Sequence, residues 1–230
     1  MNLLTSRHLE PLLKLIPEIR FYPYVGEKYA QQEKKILVLA NNRYCDPLDW
    51  DDVKIRTADP YHFADSMEEF TYEQKWYTTA FRNFIKGCLG IKNNFNANSA
   101  EAETVEDFIG KISYTNYIND FVITDGKTNV SIPPDQLERS RIIHERQLEI
   151  LKPTYIVCWG KEVFGYHINN PRYEVVKSES LNKNGFGYAF VRDQTTGNMI
   201  HLLKTFHPSM PGFGVYNDDT HKLFQWFFKL

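Results

Sequence analysis

The chain has few cysteines and nothing that arranges them into a site. Cys45, Cys88 and Cys158 are odd in number, far apart and never spaced as Cys-x-x-Cys, which gives no disulfide framework and no zinc or iron–sulfur signature. They read as free thiols. Long apolar runs are missing too, since none approaches the ~20 residues that a membrane-spanning helix needs. The opening Met1-Asn2-Leu3-Leu4-Thr5-Ser6-Arg7 has neither an extended apolar region nor a small-residue cleavage site. The expectation is a soluble, cytoplasmic protein with no membrane contact. An excess of basic charge is also lacking, because 27 Lys and Arg face 29 Asp and Glu for a formal net charge of -2. That balance argues against gripping nucleic acid by overall charge and leaves room for a local basic groove. Internal repeats and long low-complexity linkers are absent, so residues 1–230 read as one domain, with 1–33 as an N-terminal helical extension packed on it.

What the chain does have is material for a core: 42% of its residues are hydrophobic and 15% aromatic. Leu9, Leu12, Leu13 and Ile16 form a helical stripe interrupted by Pro11 and Pro17. The continuous apolar run 36–40, Ile-Leu-Val-Leu-Ala, has the length and composition of a strand buried on both faces. It ends in the polar, turn-prone Asn41-Asn42-Arg43-Tyr44. Residues 45–69 are acidic and read mostly as loop. Residues 74–89 and 102–112 predict helices, and 113–118 predict a strand. Pro133-Pro134 opens a helix that runs to Leu151, and Pro153 marks its end. A third buried strand follows at 155–159, stopping at Gly160, and a short helix over 161–167. Residues 173–176 suit an edge strand, Gly197-Asn198 a hairpin turn, 199–206 a strand and 218–228 a closing helix. Strand and helix alternate through most of the chain. The predicted architecture is α/β, a three-layer α/β/α sandwich with a mainly parallel central sheet.

In such a sheet, reactive groups gather beyond the carboxyl ends of the parallel strands. Four strand ends carry polar or glycine elements: Asn41-Asn42, Asn116, Trp159-Gly160 and His207-Pro208-Ser209. The histidine is held at its strand end by the following proline. Taken alone, each element has an ordinary structural use, as a turn, a cap or a ligand for a loop carbonyl; their order in the chain gives them weight.

That order resembles the uracil-DNA glycosylase superfamily. Residues 36–44 look like the family's first strand and water-handling loop, Tyr114-Thr115-Asn116 like the strand that presents a base-reading Asn, 151–161 like its helix-Lys-Pro-strand-Trp-Gly unit, and His207-Pro208-Ser209 like its last loop. The resemblance covers roughly Lys34 to the C-terminus. The best-known members begin the first loop with Gly-Gln-Asp-Pro-Tyr, whereas this chain has Ala40-Asn41-Asn42-Arg43-Tyr44. Asn42 stands where the Asp would be, and an amide can orient water but cannot take a proton as a carboxylate can. Asp59-Pro60-Tyr61-His62 copies the second half of that signature after a short, charged approach, so Asp59 is the rival to Asn42.

The resemblance implies a monofunctional glycosylase without metal or cofactor, acting on DNA that contains a damaged or deaminated base, or a relative that only binds a free base, nucleotide or nucleic acid. Asn42 and His207 would be catalytic, with Asn41, Tyr44, Asn116 and Ser209 contacting substrate. Asn116 would read the base edge, His207 would donate to the departing base, and Ser209 would bond a neighbouring phosphate. Tyr44, Tyr61, Phe63 and Phe70 are candidates to stack on the base. Met210 to Gly214 could wedge into the space a flipped nucleotide leaves, and Lys161, Lys204 and Lys222 could track phosphates. The acidic stretch points the other way, toward an interaction protein that docks a basic partner.

Overall fold

The computed structural model describes residues 5–45, 59–73, 78–123, 131–181, 185–214 and 218–230. In the first third, α1 (Ser6–Leu13) buries Leu9 and Leu13, and β1 (Tyr24–Val25) precedes the buried β2 (Ile36–Ala40) and the short β3 (Arg43–Cys45). Two short helices, α2 (His62–Asp65) and α3 (Met67–Tyr72), lead to α4 (Thr79–Leu89), which Gly90 ends in a left-handed conformation. Next come α5 (Ala102–Gly110), β4 (Ile112–Asn116), β5 (Phe121–Ile123) and the long α6 (Pro134–Leu151). The chain closes with β6 (Tyr155–Trp159), α7 (Lys161–Ile168), β7 (Tyr173–Ser180), β8 (Gly187–Asp193), β9 (Met199–Thr205) and α8 (Asp218–Phe227).

Seven strands form one sheet in the order β1-β4-β2-β6-β9-β8-β7. The inner four, β4, β2, β6 and β9, run parallel. The outer strands β1, β8 and β7 run antiparallel to their neighbours, so the sheet is mixed and the expectation of a mainly parallel one is corrected. The reason is connection length. Parallel neighbours need a crossover of a dozen residues or more, whereas β8 and β9 are joined through the turn at Gly197, too short for anything but a hairpin.

Because side chains alternate along a strand, each inner strand feeds both faces. Val38, Tyr114, Val157 and Leu203 join Phe81, Phe84, Phe224 and Phe227 in one core under α4, α5 and α8. Leu37, Leu39, Ile156, Cys158 and Leu202 join Leu9, Leu13, Ile143 and Val163 in the other, under α1, α6 and α7. Helices therefore cover both faces of the α/β sheet.

Several boundaries differ from expectation. Arg43 and Tyr44, read as turn, and Cys45, read as loop, pair in parallel with Phe121, Val122 and Ile123 in a second, two-stranded sheet. Part of the acidic loop is helical, as α2 and α3. Residues 46–58 and 74–77, on which the rest of that loop and the start of the predicted helix at 74 fall, lie outside the described residues. Strand β4 starts one residue earlier than predicted and stops at Asn116. The N-terminal extension is more than helical, because Tyr24 and Val25 pair with Tyr114 and Ser113. Cys88 and Cys158 are free and buried, and the side chain of Cys45 lies outside the description.

Candidate functional site

The four predicted strand ends fall on one row. Ala40 pairs with Asn116, Leu39 with Cys158 and Trp159 with Thr205, which sets Asn116, Ala40, Trp159 and Thr205 side by side across β4, β2, β6 and β9. Three inter-strand gaps of ~4.8 Å separate the outer members of the row by about 14 Å, room for a planar ring and the side chains that reach toward it. The alternation puts Asn116 on the same face as Tyr114, and Trp159 on the same face as Val157, where α4 and α8 lie.

At β9 the chain leaves the sheet and His207 reaches the Trp159 ring edge to face, with ring centres 5.7 Å apart. Trp159 is itself seated among Phe84 at 5.5 Å, Tyr114 at 5.3 Å and Phe81 at 6.3 Å, so His207 leans on a fixed wall. The far side of the loop is anchored by Asn83 of α4, whose Nδ2 donates to the Pro208 carbonyl at 2.8 Å. His207 Nδ1 lies 2.7 Å from Ser209 Oγ, and the Ser209 backbone N–H also points at it, at 3.4 Å. A nitrogen approached by a backbone donor is an acceptor, so the hydroxyl donates as well and the ring proton sits on Nε2. Burial holds the imidazole below the usual histidine range, which keeps it neutral at pH 7. His207 thus offers a single uncharged donor, Nε2–H.

Glycine at the end of β6 is obligatory. Gly160 has φ 108 and ψ 164, a region open to glycine and closed to other residues, and its N–H donates to the Thr205 carbonyl at 2.9 Å. This bond ties the ends of β6 and β9 together.

The first loop is tied to β4 in a similar way. Tyr117 N–H donates to Ala40 O and Ile118 N–H to Asn41 O, each at 2.8 Å. Asn116 is buried at the end of its strand, and Asn42 is partly buried between β2 and β3. Two polar atoms along this row, Asn41 Oδ1 and Trp159 Nε1, are buried with no hydrogen-bond partner among the described residues. Orphaned groups of this kind cost on the order of 1–3 kcal/mol each unless a ligand or water satisfies them.

Other predicted residues go elsewhere. Asp59 accepts the Tyr61 N–H at 2.9 Å, a turn that starts α2, and the Pro60 carbonyl accepts the Tyr22 N–H at 2.9 Å. The adjoining Tyr61 ring lies under Arg7 and against Tyr22, in the α1 core on the opposite face from Trp159 and His207. Asp59 therefore has a local structural use and Tyr61 is not at the row. Phe70 belongs to the core under α4, and the side chains of Tyr44 and Phe63 lie outside the description. Lys204 reaches over the Phe164 ring at 5.8 Å, and Lys161 is solvent-exposed near Glu162.

Beside Ser209 an open groove of about 950 Å³ runs between α4 and α8, lined among others by Asn83, Met210, Lys92 and Lys222. Its two lysines face Asp218 at 3.0 Å and Asp219 at 3.8 Å, so its charge is balanced rather than basic. Met210 is 55% exposed at its rim, while Phe213 of the short 3-10 turn beyond it is fully buried.

Sequence reasoning missed Asn83, which sits unremarkably on a helix rich in aromatics, and the contact between Trp159 and His207. The second was accessible, since both motifs were in hand and the register of β6 with β9 brings them together.

The sequence matches no protein-family model and no curated protein. Among the described residues, no helix is long and apolar enough to cross a membrane, and no group of three or more His, Cys, Asp or Glu could hold a metal ion.

Proposed function

We propose that the row of strand ends is a nucleobase-binding site of the uracil-DNA glycosylase kind, and that the protein hydrolyses the N-glycosidic bond of a deaminated or damaged base in DNA. The observation that carries this reading is His207, a neutral imidazole with Nδ1 occupied by Ser209 and no partner for Nε2–H among the described residues, leaning on Trp159 in the same row as Asn116. A base leaving deoxyribose gains negative charge on its carbonyl oxygens. A donor fixed in advance at one of those oxygens stabilises the transition state more than the bound substrate. The Asn116 amide offers a donor and an acceptor, which suits the O4 and N3–H edge of uracil. Asn42 orients the attacking water, with Asn41 next to it in the chain.

A second reading, binding without cleavage, is favoured by Asn42 itself, because an amide cannot take the proton of an attacking water. The balanced charge of the groove beside Ser209 also favours a free base or a short single strand over a long duplex track.

Incubation with uracil-containing single- and double-stranded oligonucleotides, followed by alkaline cleavage at abasic sites, tests the catalytic reading. Wild type is expected to yield product, and His207→Ala to lower the rate by on the order of 100- to 1000-fold. Product that is absent from wild type, or undiminished in His207→Ala, rules out this role for uracil. A base that binds and is not cleaved selects the second reading.

A further inference from the structure

On the face of the sheet opposite the row, His144 of α6 and His167 of α7 are both buried and meet Nε2 to Nε2 at 3.2 Å. His167 Nδ1 faces the Val163 carbonyl at 3.1 Å and must donate to it, so His167 Nε2 is an acceptor and His144 Nε2–H the donor. His144 Nδ1 is then buried with no partner among the described residues. This arrangement has no place for another proton. On His144 Nδ1 it would meet no acceptor, and on His167 Nε2 it would put two hydrogens between nitrogens that now share one.

The neighbouring groups offer little relief. Tyr117 and Tyr173 pack against the two rings, and Tyr166 stacks on Tyr117. Arg172 adds positive charge and is itself held by Asp193 and Glu149. Glu145, the carboxylate that favours a charged His167, is already bonded to Arg141 and Asn170. Burial accordingly pushes His144 well below the usual range and His167 down to about 4.

Tyr117 links this pair to the row. Its ring lies 5.0 Å from His144 and stacks on Tyr166 at 4.4 Å. It directly follows Asn116, and its N–H and that of Ile118 are the bonds that fix Ala40 and Asn41.

We propose that the His144–His167 pair is a proton-sensitive positioning device for Asn116. Neutral, it seats Tyr117 against α6 and α7 and holds Asn116 and the Asn41–Asn42 loop in place. Protonated, the two imidazoles part and the 116–118 segment is released. The functional consequence rests on the base-reading role proposed for Asn116; the structural transition does not.

Hydrogen–deuterium exchange of the full chain at pH 7 and pH 4.5, corrected for intrinsic exchange rates, tests the transition. For a group that titrates near 6.5 when released and near 4 when seated, the opening equilibrium shifts by tens of fold at pH 4.5. Protection of Tyr117 and Ile118 is expected to fall by about that factor in wild type, to below that of β9, and to persist in the double variant His144→Gln/His167→Gln. Protection unchanged in acid, no lower at 117–118 than in β9 at pH 4.5, or lost equally in the double variant overturns the proposal. Should the double variant not fold, ring titration of the wild-type histidines by NMR decides. Two imidazoles that protonate only as the 117–118 protection is lost support the device, and titration at the ordinary histidine value without that loss overturns it. Uracil binding at pH 7 is measured alongside. Its absence, with the acid transition intact, would sink the base-site reading and leave the device standing.

Discussion

His207 is an acceptor at one nitrogen and a donor at the other because Ser209 supplies two donors to Nδ1. Ser209→Ala removes one of them and leaves the weaker backbone contact, so the Nε2–H tautomer loses part of its preference. A drop in cleavage or base affinity of roughly 3- to 10-fold is expected, the size of one neutral hydrogen bond; isothermal titration with uracil measures it. At Asn42 the prediction has the opposite sign. If an amide limits the reaction by failing to take a proton, Asn42→Asp is expected to raise the cleavage rate by about 10-fold or more, read by the same oligonucleotide assay. The strand-end positions of Trp159 and His207 were legible in the sequence because a strand end is set by the apolar run before it, whereas the polar Ser113 and Thr115 blurred the end of β4 at Asn116. The tautomer of His207 was not legible, since it depends on the path of the chain through Pro208.

The elements that hold these residues differ in how plainly the sequence wrote them. The runs 36–40 and 155–159 are continuous and apolar, and they appear as β2 and β6 with those bounds. Strand β8 escaped notice because Gly187, Ala189 and Arg192 dilute its alternation, and β3 and β5 because each has only three residues and a partner far along the chain. Gly160 is where an element boundary and the site coincide. Gly160→Ala forces a side chain into a backbone region that only glycine enters, and a loss of about 1–3 kcal/mol in unfolding free energy is expected. Urea denaturation checks it, and an unchanged midpoint would mean that the turn relaxes without cost.

For the whole molecule, the order of elements was legible and the sheet's edges were not. Crossover helices announce parallel neighbours through alternating periodicities, but the directions of β8 and β7 are set by short connections that carry little pattern, and β1 is a two-residue strand whose partner β4 lies far along the chain. The buried histidines give the folded state a pH dependence of definite sign. His144 and His167 have depressed values in the fold, so their contribution is fully present above about pH 6.5 and is lost as pH falls, that of His167 from there toward about 4. The urea midpoint is expected to decline over that window by more than in His144→Gln/His167→Gln. Equal declines would assign the acid sensitivity to carboxylates instead.

The central claim, that a nucleobase sits over the ends of β4, β2, β6 and β9, is tested most directly by titrating free uracil into isotopically labelled protein and following the Asn116 side-chain amide, the Trp159 indole N–H and the His207 ring by NMR. Saturable shifts at all three, abolished for Asn116 and Trp159 in His207→Ala, are the predicted result. Absence of shifts at these groups up to the solubility limit of uracil, or saturable shifts confined to another part of the molecule, would contradict it.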